Sequence, residues 1–279
     1  MHQEVPAYRS LWRAAGVEPG TLQLPAEFER LPIVNRSELS AFPVRERCRG
    51  RINGGMRLAL SSGSTGQAFE VPLNAASRRR RQRRFFRALL QCGYRPGQRL
   101  LLLTRRTNTG PARFFNWHYA QISLDEAALV AIYLEHRPTV LYGPLDTMLR
   151  LANGLNASRN WPKPRVVVST GEELTPRARE ELSVAFGVEP SDFYGLTETG
   201  LLAWRKASQP HYWLADAEFI FEFLPAEEDY SLERLVVTDL GHAAMPLVRF
   251  DTGDLVRRNH AGLEPRVLGV SRNILDEVE

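Results

Sequence analysis

Four short segments carry residue types suited to nucleotide and phosphate chemistry. The first is Ser61-Ser62-Gly63-Ser64-Thr65-Gly66. Its two glycines and four small hydroxyl residues let the backbone approach a polyphosphate, whose oxygens can accept from backbone N–H groups and hydroxyls. Gln67 follows, so the Gly-Lys-Ser/Thr ending of a Walker loop is missing. The second is Gly171-Glu172-Glu173, and the third is Tyr194-Gly195-Leu196-Thr197-Glu198-Thr199-Gly200. There an aromatic ring can stack on a base, and a hydroxyl beside a carboxylate suits Mg²⁺, which takes oxygen ligands and shares them with substrate phosphates. The fourth is Pro246-Leu247-Val248-Arg249-Phe250-Asp251-Thr252-Gly253-Asp254-Leu255, where a carboxylate after a tight turn can bind both hydroxyls of a ribose. Each also has a plainer reading: a flexible turn, a helix start whose acids complement the dipole, a turn with a surface glutamate, or a hairpin with capping aspartates.

The elements around these segments are those that would position them. Leu58–Leu60 reads as a strand into the glycine loop, and Phe69–Leu73 as a strand leaving it. Asn74 caps an expected helix over 75–92. Strands at 100–104, 139–142, 165–169 and near Asp192–Tyr194 alternate with helices at 124–136, 144–155 and from Thr175-Pro176 to Phe186. That alternation indicates an α/β sheet with parallel segments, and the second and third segments then follow strand C-terminal ends, where ligands collect in open α/β sheets. Strands dominate from about 211, at 212–214, 218–223, 233–238, 247–250 and 254–258. The expected organisation is a helical segment over 1–57, an α/β core over 58–210 that binds nucleotide and acid, and a β-rich subdomain over 211–279.

Composition narrows the class. A 279-residue chain with 43% hydrophobic residues can bury a sizeable core. No apolar run nears the roughly 18 residues of a membrane span, and residues 1–13 lack a signal peptide's apolar stretch, so a cytoplasmic protein is expected. The two cysteines, Cys48 and Cys92, exclude a disulfide framework, and no Cys/His cluster has zinc spacing. Seven arginines lie between Arg78 and Arg87; without those seven the net charge of +4 becomes −3. On the expected helix Phe85, Phe86, Leu89 and Leu90 form an apolar stripe, with Arg80, Arg84 and Arg87 roughly opposite. That run reads first as a solvated face, and second as a dock for an acidic group such as the 3′-phosphate of coenzyme A or an acyl carrier protein. Nucleic acid is the weakest reading, because no aromatic–basic alternation accompanies it.

The order and spacing of the four segments resemble the adenylate-forming acyl-CoA synthetase superfamily, and most closely its phenylacetate–CoA ligase-like branch. Val5-Pro6-Ala7-Tyr8-Arg9, Ala15-Gly16-Val17, Leu31-Pro32-Ile33-Val34, Thr139-Val140-Leu141-Tyr142-Gly143-Pro144 and the Pro246–Leu255 segment are similar to that branch, so the resemblance runs almost end to end. It implies the α/β large N-terminal domain of that fold, with parallel-containing sheets flanked by helices and a β-rich C-terminal subdomain. The implied activity is an AMP-forming acid–thiol ligase. A carboxylate attacks the α-phosphate of ATP, giving an acyl-adenylate and pyrophosphate, and the acyl group passes to CoA or a carrier-protein thiol. By resemblance, Ser61, Ser62, Gly63, Ser64, Thr65 and Gly66 cradle the leaving pyrophosphate. Tyr194, with Gly195, stacks on adenine, and Gly171 and Glu172 line the base and acyl pocket. Thr197 contacts the α-phosphate, Glu198 holds Mg²⁺ and Asp254 holds the ribose.

Three departures qualify it. Gln67 stands where many relatives carry lysine. Gly269 is followed by Val270-Ser271-Arg272-Asn273 in place of the hinge Gly-Arg-Asp. The sequence ends at Glu279, before the small C-terminal domain with its catalytic lysine; the expectation is a truncated chain, a separate partner domain, or a partial reaction. Loss of one such charge donor costs roughly 10²–10³ in rate, so ATP binding with slow adenylation is expected. The aromatic cluster Phe114, Phe115, Trp117, His118 and Tyr119 lies where relatives place acyl-pocket residues, which favours a flat aryl acid; a buried structural cluster is the equal alternative. Two functions stay open: the enzyme, and a nucleotide-binding module that needs a partner for turnover.

Overall fold

The computed structural model describes residues 4–23, 25–50, 55–60, 69–105, 116–156, 160–226, 232–241, 244–259 and 266–271. The glycine loop 61–66, Gln67, Phe114, Phe115 and Arg272 lie outside the described residues. Along the chain the helices are α1 (Pro6–Ala14), α2 (Arg36–Ser40), α3 (Ala75–Gln91), α4 (Glu126–His136), α5 (Leu145–Asn156) and α6 (Pro176–Phe186). The strands are β1 (Arg57–Leu60), β2 (Glu70–Leu73), β3 (Leu100–Thr104), β4 (Trp117–Gln121), β5 (Val140–Pro144), β6 (Val166–Thr170), β7 (Ser191–Leu196), β8 (Gly200–Arg205), β9 (Trp213–Leu214), β10 (Phe219–Pro225), β11 (Glu233–Asp239), β12 (Phe250–Asn259) and β13 (Arg266–Ser271). They form a β1-β2 hairpin, a four-stranded sheet β10-β11-β12-β13 and a seven-stranded sheet ordered β4-β3-β5-β6-β7-β8-β9. The architecture is mixed α/β, with parallel strands flanked by helices and a β-rich C-terminal part.

The chain divides into two compact units. The first comprises Met1–Arg84, Leu196–Leu202 and Leu214–Glu279; the second comprises Phe85–Gly195 and Ala203–Trp213.

In the first unit the four-stranded sheet is antiparallel throughout. Pro6 starts α1 at a position where a missing N–H costs nothing. Tyr8 and Trp12, one turn apart, bury their rings against each other at 5.5 Å between centroids. The Tyr8 hydroxyl accepts from the Val248 N–H at 2.9 Å, and burial pushes its pKa well up. Asn35 and Glu38 close a reciprocal capping box at the start of α2. Just before it, Val34 pairs with β12: its N–H donates to Arg249 O and its carbonyl accepts from Asp251 N, both at 2.9 Å. The N-terminal segment is thereby tied into the sheet.

The second unit rests on parallel pairing along β4-β3-β5-β6-β7. Leu101, Leu103, Leu141 and Val167 from the strands pack with Met148, Leu151 and Leu155 of α5 and Leu182 and Phe186 of α6 in one apolar core. Asp125 and Thr175 cap α4 and α6 by accepting from Ala128 N and Ala178 N. Gly187 ends α6 with φ +72°, a left-handed cap that glycine adopts freely.

Candidate functional site

The sequence-derived site residues fall into both units. In the second, the parallel register aligns Pro144 with Thr170, and Thr170 with Phe193. Strand β6 therefore ends beside the middle of β7, and the Thr170 hydroxyl ties that end to β7 by donating to Phe193 O at 2.9 Å. Gly171 follows directly, with φ +88° and open space where a Cβ would stand. Gly171 and Glu172 are exposed beyond the strand end. Tyr194 is the next residue after Phe193 and is 7% exposed. The sheet thus brings Gly171, Glu172, Tyr194 and Gly195 to one edge, the C-terminal edge at which α/β sheets bind ligands.

In the first unit Thr197, Glu198 and Thr199 form the turn between β7 and β8. Glu198 is fully buried, and Arg36 Nε, the first residue of α2, sits 2.7 Å from its Oε1. Neither carboxylate oxygen has a well-aligned hydrogen-bond donor among the described residues. Backbone oxygens of the same turn are held from α3. Arg81 donates to Thr197 O at 2.9 Å and to Glu198 O, and Arg84 donates to Thr199 O at 2.7 Å. Sequence reasoning missed Arg36, Arg81 and Arg84. It placed Arg84 on a solvated face, but Arg84 is 3% exposed. Its guanidinium lies over the Phe219 ring at 4.6 Å and donates to Glu218 at 2.7 Å, a carboxylate that Arg80 also engages at 2.9 Å. Those partners make burial of the charge tolerable. They also remove Arg80 and Arg84 from any docking face, whereas Arg79, Arg83 and Arg87 are exposed. Arg78 turns back to Leu73 O and Gly55 O.

The Thr252-Gly253-Asp254 segment is a bulge within one strand, where the sequence reading had a turn between two strands. Asp251 pairs with Val236 and Leu255 with Arg234, so three residues of β12 face Leu235 alone. Gly253, at φ +75°, absorbs the extra length. Thr252 Oγ1 donates to Leu235 O at 2.8 Å and accepts from Asp254 N at 3.1 Å. Asp251 is structural: it accepts from Gly253 N and pairs with Arg234. Asp254 is 3% exposed. Arg249, just upstream, adopts φ 45° and spreads its guanidinium over both oxygens of Glu222 and the carbonyls of Glu29 and Leu31.

Among the expected acyl-pocket residues, Trp117 is committed to packing: its Nε1 donates to the Tyr94 hydroxyl at 2.9 Å, and its ring meets Phe85 and Phe86. Phe85 also contacts Tyr142 and Phe193 edge-on at 4.9 and 5.8 Å. His118 stacks on His136 at 5.0 Å, and burial together with the neighbouring His118 lowers the His136 pKa. Burial raises the thiols of Cys48 and Cys92 to about 11, which leaves both inert at neutral pH. Among the described residues no three His, Cys, Asp or Glu side chains gather as a metal site, and no helix is long and apolar enough to cross a membrane.

No protein-family profile and no curated protein matches the sequence. Solved structures do match. An open form of 2-hydroxyisobutyryl-CoA ligase, in complex with 2-HIB-AMP and CoA, superposes with a TM-score of 0.78 at 18% identity over 96% of this chain and 69% of its own. The same ligase in its thioesterification state gives 0.80 at 19% identity, over 96% and 64%. ATP-bound MatB from Rhodopseudomonas palustris gives 0.52 at 16% identity, over 76% and 47%. The chain thus spans 62–69% of the 2-hydroxyisobutyryl-CoA ligase chains and about half of MatB. Over the part it spans, this chain has the fold of the adenylate-forming acyl-CoA ligases.

Proposed function

We propose that the chain binds ATP and activates a carboxylic acid as its acyl-adenylate, for transfer to the thiol of CoA or of an acyl carrier protein. The observation that carries this reading is the turn holding Thr197 and Glu198. It occupies the motif position that the resemblance assigns to phosphate and metal, and it presents a fully buried carboxylate paired with Arg36. The fold shared with ligases solved around an acyl-AMP supports it.

The acid's carboxylate oxygen attacks the α-phosphorus, and the bond to the bridging oxygen of the β-phosphate breaks, releasing pyrophosphate. A thiol then attacks the acyl carbonyl and AMP leaves. The protein's part is positioning and charge neutralisation rather than a covalent nucleophile. In this reading Tyr194 and Gly195 take the adenine, Gly171 and Glu172 border the base and acyl site, and Asp254 on the bulge takes the ribose. Thr197 takes the α-phosphate, and residues 61–66 take the departing pyrophosphate. Glu198 fits Mg²⁺ by donor type. It is a hard oxygen ligand, and a single carboxylate shared with substrate phosphates is a usual Mg²⁺ arrangement. Its Oε2 lacks a hydrogen-bond partner among the described residues, and Arg36 holds Oε1. When bound, the metal supplies Lewis-acid polarisation of the phosphoryl oxygens.

An aryl acid, as in the phenylacetate–CoA ligase-like branch, is the proposed substrate class. The aromatic residues Phe114, Phe115, Trp117, His118 and Tyr119 are what support it, Trp117 least because its indole is hydrogen-bonded to Tyr94. The proposed setting is cytoplasmic.

The second reading is a nucleotide-binding module that turns over only with a separate C-terminal-type partner domain. Gln67 in place of lysine favours it. Calorimetry with ATP and Mg²⁺, followed by pyrophosphate exchange over a panel of aryl and alkyl acids, tests both. Saturable ATP binding lost in Asp254→Ala is expected, with slow exchange that Glu198→Gln lowers by roughly 10²-fold. An absence of ATP binding overturns both readings. Exchange only after addition of a partner domain selects the second, and tighter binding of alkyl acids rejects the aryl preference.

A further inference from the structure

Arg81 and Arg84 lie one helical turn apart on α3, and both reach the same three-residue turn more than a hundred residues away in sequence. Arg81 Nη1 and Nη2 take the carbonyls of Thr197 and Glu198, at 2.9 and 2.5 Å, and Arg84 Nη2 takes that of Thr199 at 2.7 Å. Strand β7 ends at Leu196 and β8 begins at Gly200, so these three oxygens lie between the two strands. Glu198 and Thr199 are fully buried. The guanidinium groups thus give all three carbonyls of the turn a charged donor. The chain tolerates mutual repulsion to keep the arrangement. Burial first, and then the nearby Arg84 charge, bring the Arg81 pKa down to about 10, against the pull of Asp239 and Glu198. Gly200 is shaped to the same contact. At φ +72° its Cβ position lies 3.2–3.3 Å from Arg81 Cδ and Cγ and from Arg84 Nη2, so a side chain there would press on both arginines.

We propose that Arg81 and Arg84 are positioning residues for adenylation: by gripping three consecutive carbonyls from α3 they fix where the Thr197 hydroxyl and the Glu198 carboxylate stand. This rests on the adenylation reading above. A planar fork can hold two carbonyls at once, whereas an ammonium is a point charge that cannot reproduce that geometry. A shift of about 1 Å in groups that act on the α-phosphate can cost on the order of 10² in rate. The effect belongs in kcat, since the grip touches neither the adenine nor the ribose residues.

The test compares wild type, R81K, R84K and G200A in the full chain. Three quantities are read: kcat and KM for ATP in pyrophosphate exchange, amide hydrogen exchange of peptides covering residues 196–205 without nucleotide, and thermal unfolding. R81K retains the charge and is expected to lower kcat by about 10–100-fold with KM for ATP within about threefold. Amide exchange in 196–200 should rise about tenfold or more while the midpoint stays near wild type. G200A, which pushes on both arginines without removing either, is expected to move the same two readouts in the same direction. Wild-type kcat together with wild-type amide exchange in R81K overturns the proposal, as does a parallel loss of overall stability that accounts for the whole effect. A wild-type chain with no pyrophosphate exchange defeats the adenylation reading instead. The amide exchange then decides alone: unchanged in R81K overturns the grip, accelerated upholds it.

Discussion

Arg249 offers the sharpest stability test, because its partners are all named and nearly all enclosed. The guanidinium is 7% exposed and Glu222 is 14% exposed. Nε donates to Glu222 Oε1 at 3.0 Å and to Oε2 at 3.1 Å, Nη2 donates to Oε1 at 2.7 Å, and Nη1 reaches the carbonyls of Glu29 and Leu31. Arg249→Met keeps the aliphatic stem and deletes every one of these bonds. It strands a mostly buried carboxylate and two carbonyls. Breaking a buried pair from one side costs about 3–5 kcal/mol. The carbonyl of exposed Glu29 regains water, while that of buried Leu31 loses its donor and adds about 1 kcal/mol. A loss of about 4 kcal/mol corresponds to a midpoint lower by roughly 8–16 °C for a chain of this size. Adding Glu222→Met removes the stranded charge, and replacing both members of a buried pair by apolar groups is often close to neutral. The double variant should therefore recover about 2–3 kcal/mol of the loss. Urea titration followed by far-ultraviolet circular dichroism supplies the free energies of all three variants and closes the cycle. A single-variant loss below about 1 kcal/mol, or a double variant no more stable than Arg249→Met, would refute the assignment of this pair as the strut between the N-terminal segment and the sheet.

Asp192 should make stability depend on pH in the opposite sense to an ordinary surface carboxylate. Burial raises its pKa from 3.8 to about 6 despite the Tyr212 hydroxyl bonded to it. With the folded value above the unfolded one, its contribution is fully present below about pH 4 and is lost as pH rises through 6. Asp192→Asn keeps an acceptor for Tyr212, so its stability relative to wild type should climb by up to about 3 kcal/mol between pH 4 and pH 7.5, and a flat difference across that range would be the contrary result. Arg36→Met leaves Glu198 buried without its counter-charge and should cost about 2–4 kcal/mol, largely restored by Glu198→Gln; equal stability of Arg36→Met and wild type in thermal unfolding would contradict the pairing. A methyl group at Gly143 would stand 2.6 Å from Leu103 Cβ, so Gly143→Ala should lower stability by about 1–3 kcal/mol in urea titration despite its favourable effect on the unfolded chain. Charge reversal at exposed Arg79 and Arg83 should leave ATP affinity within about twofold and slow transfer to an acidic carrier protein, as read by carrier-dependent kinetics.

The parallel part of the fold was legible because buried parallel strands are written as continuous apolar runs. Leu100-Leu101-Leu102-Leu103, Val140-Leu141 and Val166-Val167-Val168 show this pattern. β4 escaped because an edge strand is covered less completely; Trp117, His118 and Tyr119 are half-exposed and mix polar with apolar types. The segments 247–250 and 254–258 looked like two strands because Thr-Gly-Asp is turn chemistry. In the ladder the same glycine serves a bulge, and only the pairing with Leu235 distinguishes the two outcomes. Among the chemical residues, Glu198 could be read from its motif. Its partner Arg36 could not, since the contact joins residues 162 positions apart. The helix start that carries Arg36 was nevertheless written locally, in the Asn35–Glu38 capping box. The register that brings Gly171 beside Tyr194 follows from strand order, which periodicity does not encode.

The arginine run shows why charge counted along a sequence misleads about partners. A nucleic-acid or carrier footprint needs cations that water and the partner can reach. On α3 the helical period sorts the run. Ser77, Arg84 and Ala88 are buried and Arg81 nearly so, while Arg79, Gln82 and Arg83 face out. Arg80 and Arg84 are matched by Glu218, Asp239 lies close enough to feel all three of Arg80, Arg81 and Arg84, and Arg78 is spent on carbonyls. Burial raises the Asp239 pKa even against those three cations, so the cluster is an enclosed network rather than a solvated one. Four of the seven arginines are thus committed to partners within the protein, two of them, Arg81 and Arg84, to the carbonyls of the Thr197–Thr199 turn, so a run that read first as a solvated face is mostly spent internally. The helix signal that separates the two cases is present in the sequence: a small residue at Ser77 and another at Ala88 bracket Arg81 and Arg84 on one face, which marks that face as close to other backbone.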